Sequence, residues 1–531
     1  MLSAVSLLSG APTAAQEPEG PLVRRGTVRL EFAPQTTWWD SRFGKRTEGG
    51  STIEEVEPLG FDLTSDVVGT AMIPTLASFQ DRLADALAEP GYVLDLGESR
   101  TTWTHSQTRL PVRLDVGVFD WLTVSGMVPF VRSQPVVDVS FRGDSASANA
   151  GRNPALSDPG GVNSFLSALS FDVGTLQNTV DQICGDLGST DPSCVDGQAL
   201  LAEGQSIESG LESLYRDEAA FLPLTGTDTG RTLEQRVGDF QTDLDGFGQS
   251  ATAGAPPLSE QPLDDDGFNL LVTELAYGVA GAPLSSSVGV WEIGDVEVSA
   301  AVRLLESSRD PEHTGARYLL GAEALVRLAT GVAPNLDVFQ DLGSGDGQTD
   351  VEVRVFGSAL AGRWGVLGHA RLGIQQSALV DRRITTPDVI LAPFASRATV
   401  SWSPGNTFDL YVAPRLLMAP GMALILPYQF YRKGEDSYTL PSGATGPPEG
   451  APEGAPDVTV LNEETAIALH RLGVGVVFST MDGFRQGKTS LPLELRAVYE
   501  STFSGSGGQT PKASRVRVTF RLFLSFWGDG A

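Results

Sequence analysis

The stretch Ser514-Arg-Val-Arg-Val-Thr-Phe-Arg-Leu-Phe-Leu-Ser-Phe526, followed by Trp527, sets Val516, Val518, Phe520, Leu522, Leu524 and Phe526 against Arg515, Arg517, Thr519, Arg521, Phe523 and Ser525. In a β-strand successive side chains point to opposite faces, so one face is oily and the other carries three arginines. Two architectures produce such a strand. A soluble sheet turns the oily face to a core and the arginines to water. A membrane barrel reverses this, oily face to lipid and polar face to the lumen.

The same alternation recurs along the chain. Arg109 to Val118, part of a strand beginning near 97, sets Leu110, Val112, Leu114, Val116 and Val118 against Arg109, Arg113 and Asp115. Segments at 121–132, 295–304 and 317–328 repeat it, as do 349–362, 364–380, 405–416, 421–433, 464–478 and 489–502. With an opening strand near 26–40 and the final one, the pattern predicts about 12 strands, 14 being the next even count, because bacterial barrels keep both chain ends on the periplasmic side. Parity denies a strand of its own to one further stretch, Ala395 to Ser403, which is either loop or fused through Ser403-Pro-Gly-Asn406 with the next strand. The connections then alternate between short (Phe119-Asp120, about 307–314, Arg363, about 417–420, about 479–488) and long (about 41–96, 143–290, 331–348, 381–404, 434–463, 503–512). Short periplasmic turns and long outer loops are the layout of a transmembrane barrel, and a soluble β-sandwich has no reason to segregate loop lengths.

Composition agrees. The chain has 531 residues and 41% hydrophobic content, and contains no run approaching the roughly 18 to 20 apolar residues a membrane helix needs. Sixty glycines, 33 prolines and six methionines suit strands and turns. A formal charge of −29 argues against nucleic acid as a partner, since such proteins present basic surfaces to phosphate. The acids gather outside the strands, as in Glu54-Glu55-Val56-Glu57 and Asp264-Asp265-Asp266.

Residues 1–20 read as the remnant of a secretory signal, with Thr13-Ala14-Ala15 supplying small residues for cleavage; the basic n-region expected ahead of it is missing, which puts the true start upstream. The barrel is expected over 26–527. In an exported chain, Cys184 and Cys194, flanking a Gly/Pro-containing turn, most simply form a local disulfide. Leu76, Phe79, Leu83 and Leu87 recur at helical spacing, and so do Leu166, Leu169, Leu176, Val180, Ile207, Leu211 and Leu214. The first long loop therefore carries a short helix, and 143–290 is a large, partly helical extracellular insertion that serves as a cap or a plug, or stands outside as a binding platform. Residues 441–456 read as linker.

The run from Asp115 through Trp121 to Val131, the Gly294-Asp295 strand start and the loop Gly343-Ser-Gly-Asp-Gly-Gln-Thr-Asp350 resemble the outer-membrane barrels named for the meta-pathway of phenol degradation. The final strand, ending in Phe526-Trp527, is similar to the recognition strand of bacterial outer-membrane barrels. The long-chain fatty-acid transporters are a weaker likeness, as nothing before the first strand is long enough for a hatch. These resemblances imply an integral protein of the Gram-negative outer membrane that acts as a channel or transporter. Its expected partners are outer-membrane lipid and lipopolysaccharide, the barrel-assembly machinery through the C-terminal strand, and a small-molecule permeant. A structural or adhesion barrel whose 143–290 loop binds an external partner is the alternative.

On that reading the lumen-facing charges are Arg113, Asp115, Glu297, Arg303, Glu323, Arg327, Glu352, Arg354, Arg471, Glu494, Arg496, Arg515, Arg517 and Arg521. They form either a ladder of satisfied pairs or a charged constriction that selects permeants. The arginines of the last strand point to anionic or aromatic-acid solutes, with hydrophobic solutes a further class. Trp38, Trp39, Trp121, Trp402, Trp527, Tyr318 and Tyr499 lie near strand ends, where a girdle of aromatics meets the headgroups. His105, His313, His369 and His470 are scattered, without HExxH or Cys/His spacing, so neither catalysis, a metal nor a cofactor is expected.

Overall fold

The computed structural model describes residues 20–48, 51–153, 159–216, 220–307, 316–441 and 457–526. The expected linker after Pro441, His313, Trp527 and all of the signal remnant except Gly20 lie outside these.

Twelve antiparallel strands close into a barrel. In chain order they are β1 (Thr27–Phe32, resuming as Gln35–Trp39), β2 (Glu98–Phe119), β3 (Leu122–Arg142), β4 (Glu297–Glu306), β5 (Arg317–Arg327) and β6 (Asp350–Ala361). They continue as β7 (Trp364–Gln375), β8 (Thr407–Ala419), β9 (Met422–Ile425, resuming as Tyr428–Lys433), β10 (Ile467–Ser479), β11 (Leu493–Ser506) and β12 (Ser514–Ser525). Each pairs with its neighbours in sequence, and β12 returns to β1 in the register Thr27↔Ser525 to Phe32↔Phe520. Where the register demands a reversal in two residues, glycine takes the positive φ, as at Gly362 (59°) before Arg363 and Gly421 (73°) after Pro420.

Polarity is inverted relative to a soluble sheet. Val353 and Val355 on β6, Leu372 and Ile374 on β7 and Val474 and Val476 on β10 are exposed, whereas Asp115, Glu323, Glu352, Asp409 and Glu500 are buried. No helix among the described residues is long and apolar enough to cross a membrane. A closed sheet satisfies its backbone internally and leaves no edge, so it can carry an oily outer face through lipid. The protein is an integral outer-membrane barrel. Trp38, Trp121, Tyr318 and Tyr499 are exposed, consistent with a girdle. Trp39 instead stacks on His105 with 4.8 Å between ring centroids, and Trp402 is buried, its Nε1 donating to Asp436. The Arg397–Ser403 stretch is a strand, but it belongs to a separate three-stranded sheet with Ala378–Arg383 and Ser437–Thr439.

β2 and β3 have 22 and 21 residues, about twice what a bilayer requires. Beyond the membrane they carry a helical domain: α1 (Ala77–Leu87), α2 (Pro159–Leu187), α3 (Pro192–Arg216), α4 (Asp228–Asp245) and α5 (Asp265–Thr273). Its core is drawn from three connections, not from 143–290 alone. Leu63, Ile73, Leu94 and Leu96 from the first long loop and Leu391 from a later one join Leu169, Leu176, Ile207, Leu211 and Phe240. Thr227 and Asp264 cap α4 and α5 by accepting from the amides of Gly230 and Gly267. The Asp172 carboxylate pins the segment after α4, accepting from the amides of Thr252 and Ala253. Cys184 and Cys194 are disulfide-bonded across the α2–α3 turn.

Two outcomes follow. Val355→Arg, on the outer face, lowers barrel stability by about 2–4 kcal/mol if the site lies near the bilayer midplane, read from urea unfolding in liposomes. Replacing both Cys184 and Cys194 with Ser opens the α2–α3 tip to protease, while the temperature at which the barrel loses its fast gel migration stays unchanged.

Candidate lumenal binding site

The pleat brings the alternate residues of the strands together inside the barrel. Eight of the fourteen sequence-derived charges, Arg113, Glu297, Arg327, Arg354, Arg496, Arg515, Arg517 and Arg521, line the cavity described below, and the charges divide into two walls of different character. On β1 to β8 the charges interlock. Asp115, fully buried, accepts from Arg29 Nε at 2.8 Å, Arg113 Nε at 2.7 Å and Ser125 Oγ at 2.6 Å. Arg113 also reaches Glu323 at 3.0 Å, and Arg354 meets the other oxygen of that carboxylate. Higher up, Arg327 spans Glu297 (3.4 Å), Asp350 (3.2 Å) and Glu352 (3.0 Å), and Arg371 continues the chain from Glu352 to Asp409.

The wall of β10 to β12 has fewer acids. Arg515 sits 2.7 Å and Arg517 3.6 Å from Glu500. Arg471 donates to Thr502 and Gln429, Arg515 also to Gln429, and Arg517 to Gln35. Neutral amides and hydroxyls thus fill the places that carboxylates fill opposite. Arg496 donates to the Tyr411 hydroxyl, and Tyr411 stacks on His369 with 5.3 Å between ring centroids. Arg521 differs from its two neighbours on β12, being held at 2.6 Å by both Glu31 and Glu494. Arg303 pairs with Glu306 near the short-turn end, away from the cavity.

Between the walls lies a cavity of about 470 Å³, lined by ten arginines and by three carboxylates, Glu31, Glu297 and Asp409. The Nε atoms of Arg109 and Arg354 are buried with no hydrogen-bond partner among the described residues. Arg109 and Arg327 also line a second space of about 760 Å³ toward the long loops, whose wall includes the Gly343–Gly347 loop. The two spaces adjoin at Arg109 and Arg327, an outer vestibule and an inner chamber. Neither is lined by any described residue of 143–290. Gly20 and Pro21 form part of the chamber wall.

Arg29, Glu31, Arg109, Arg371, Asp409 and Gln429 join the site although sequence reasoning passed over them. The alternation of Val28, Leu30 and Phe32 with Arg29 and Glu31 carries that signal for β1. Whether an arginine is neutralised depends on cross-strand register, which the alternation does not give.

No known family and no curated protein matches the sequence. Among solved structures, the chain is similar to an outer membrane channel from Pseudomonas putida F1 (9% identity over 96% of this chain and 100% of that one, TM-score 0.41). It is also similar to the CymD monoaromatic hydrocarbon channel (8%, 96% and 90%, TM-score 0.26) and to the Ralstonia pickettii toluene transporter TbuX (9%, 96% and 91%, TM-score 0.26).

Removing one partner of a buried ion pair leaves the other charge uncompensated, at a cost of about 3–5 kcal/mol. Asp115→Asn strands Arg29, leaves Arg113 with Glu323 alone, and lowers the barrel's unfolding midpoint accordingly. Arg303→Gln, at the periphery, shifts the midpoint by far less in the same assay.

Proposed function

We propose that this barrel is a non-enzymatic channel that admits small anionic solutes across the outer membrane. The observation that supports this reading is the asymmetry of the chamber: one wall carries a closed ladder of ion pairs, whereas on the other Arg515 and Arg517 share the single carboxylate of Glu500 and Arg471 is held by Thr502 and Gln429. In a narrow lumen a solute exchanges hydration for contacts with the wall, and guanidinium groups already satisfied by carboxylates offer it little. Arginines held by amides keep their field. The orphan Nε donors of Arg109 and Arg354 are further anchoring points for a carboxylate or phosphate oxygen. Aromatic acids suit the chamber as well, since Tyr411, His369 and Phe356 present rings beside guanidinium groups. Such a wall favours anions over uncharged hydrophobic solutes.

The resemblance to the phenol meta-pathway barrels is compatible with this reading. Lipid and lipopolysaccharide contact by the outer face, and recognition of β12 by the assembly machinery, belong to the same proposal. The adhesion alternative has one feature in its favour, the exposed Phe171, Leu187 and Val195 of the α2–α3 hairpin. That feature says nothing about the arginine-rich chamber.

The test is ion selectivity in planar bilayers. A guanidinium lost at ~8 Å from a permeant in a water-like dielectric is worth about 0.5 kcal/mol, so Arg496→Gln combined with Arg517→Gln lowers the permeability to a monovalent anion roughly sixfold and shifts the reversal potential toward cations. Arg521→Gln, removing a residue clamped between two carboxylates, changes stability more than selectivity. An unchanged reversal potential in the double variant sinks the proposal.

A further inference from the structure

We propose that the segment Gly20–Arg24 is a movable strap that closes the short-turn end of the lumen and swings aside when a solute leaves the inner chamber. The proposal rests on reading the barrel as a channel but is independent of which ion it prefers.

The strap enters the lumen beside the turn that joins β2 to β3. Its course is made possible by Gly117: a Cβ there would lie 1.9 Å from the Arg24 carbonyl oxygen, so any side chain would push the strap off the wall. The Val23 amide donates to Thr123 Oγ1 at 2.9 Å, and the Thr123 hydroxyl faces the Val23 carbonyl at 3.4 Å. Leu22 packs on Ala301, Leu319 and Phe356. The Gly20 carbonyl accepts from Arg29 Nη1 at 2.7 Å, and Gly20 and Pro21 reach the chamber wall.

These contacts fix the strap in place yet are unlike those of the barrel. A barrel strand is held by a ladder on both sides; among the described residues the strap's backbone is held by the Thr123 hydroxyl, by Arg29 and by the Thr27 amide on the Arg24 carbonyl, with Pro21 and Val23 buried and Leu22 in its niche, and no strand ladder runs along it. It can therefore detach without opening the sheet. Arg29 keeps its partner Asp115 when the strap leaves, so no buried charge is orphaned by the movement. The niche around Leu22 is open enough to leave that side chain only partly buried.

The experiment locks the strap in place. In the full chain carrying Leu22→Cys and Leu319→Cys, an oxidant added to conducting channels in a bilayer abolishes the current, while the unsubstituted protein, whose Cys184–Cys194 bond is already formed, is unaffected. A current that survives verified cross-linking overturns the proposal, whatever the ion selectivity. A second measurement does not depend on conductance. In folded protein carrying Leu22→Cys alone, a bulky maleimide reacts slowly, and adding Thr123→Val, which preserves shape but removes both hydrogen bonds to Val23, accelerates labelling. Equal labelling rates would mean that the strap is not held by these contacts, and would equally overturn the proposal.

Discussion

Everything in this molecule depends on the hydrogen-bonded seam between β12 and β1. Without it, two strand edges would hang open in a medium that offers no alternative hydrogen-bond partner, at several kcal/mol for each unsatisfied group. With the seam closed in the register Thr27↔Ser525, the pleat of every strand is committed to one phase. One set of side chains must meet lipid and the other must meet the opposite wall. Arg515, Arg517 and Arg521 become interior residues because Val516, Val518 and Phe520 cannot be.

An interior set of this kind poses an electrostatic problem. Charges taken out of bulk water must be paired, hydrogen-bonded or kept in contact with trapped water. Asp115 shows the first solution, with two arginines and a serine around one carboxylate. Gln429 shows another: its amide nitrogen donates to Asp409 of the paired wall, while its oxygen accepts from Arg471 and Arg515 of the other. It is the hinge between a wall whose charges cancel and a wall whose charges do not. The lumen is thus a brace on one set of strands and, on the function proposed above, a binding surface on another.

The barrel was legible because alternation is a property of each strand alone. The phase of Val516 against Arg517, or of Val112 against Arg113, can be read without knowing what either strand pairs with. Parity and loop length then sufficed to exclude Arg397–Ser403 from the wall. What could not be read depends on partners. Nothing local distinguishes Arg521, clamped by Glu31 and Glu494, from Arg517, which leans on Gln35, because the difference lies in the register of strands nearly 500 residues apart. The helical domain was half legible for the same reason: the periodicity of α1 and α2 is local, but their shared core joins Leu83, Leu169 and Leu391 across three connections. Trp402 was misassigned to the girdle because a tryptophan at a strand end looks alike in a membrane strand and in an outer-loop sheet. The Gly20–Arg24 segment has no periodicity, and only the space left empty at Gly117 reveals its place.

On the proposed function the overall charge of −29 raises an apparent conflict, since an acidic protein would be expected to repel the anions proposed to enter an arginine-rich chamber. The geometry removes it. Exposed charges are screened beyond about 8 Å at physiological ionic strength, whereas charges facing each other across a narrow, partly dry space are screened far less. The acids of the helical domain line neither the vestibule nor the chamber, so what an approaching anion meets first is the vestibule wall, where Arg109, Arg327, Arg382 and Arg397 stand among Asp295, Asp346 and Asp381. Beyond the shared Arg109 and Arg327 the balance tips to arginine. Net charge, summed over the whole chain, is therefore the wrong quantity from which to judge selectivity; the sign that matters is that of the few residues within a screening length of the path.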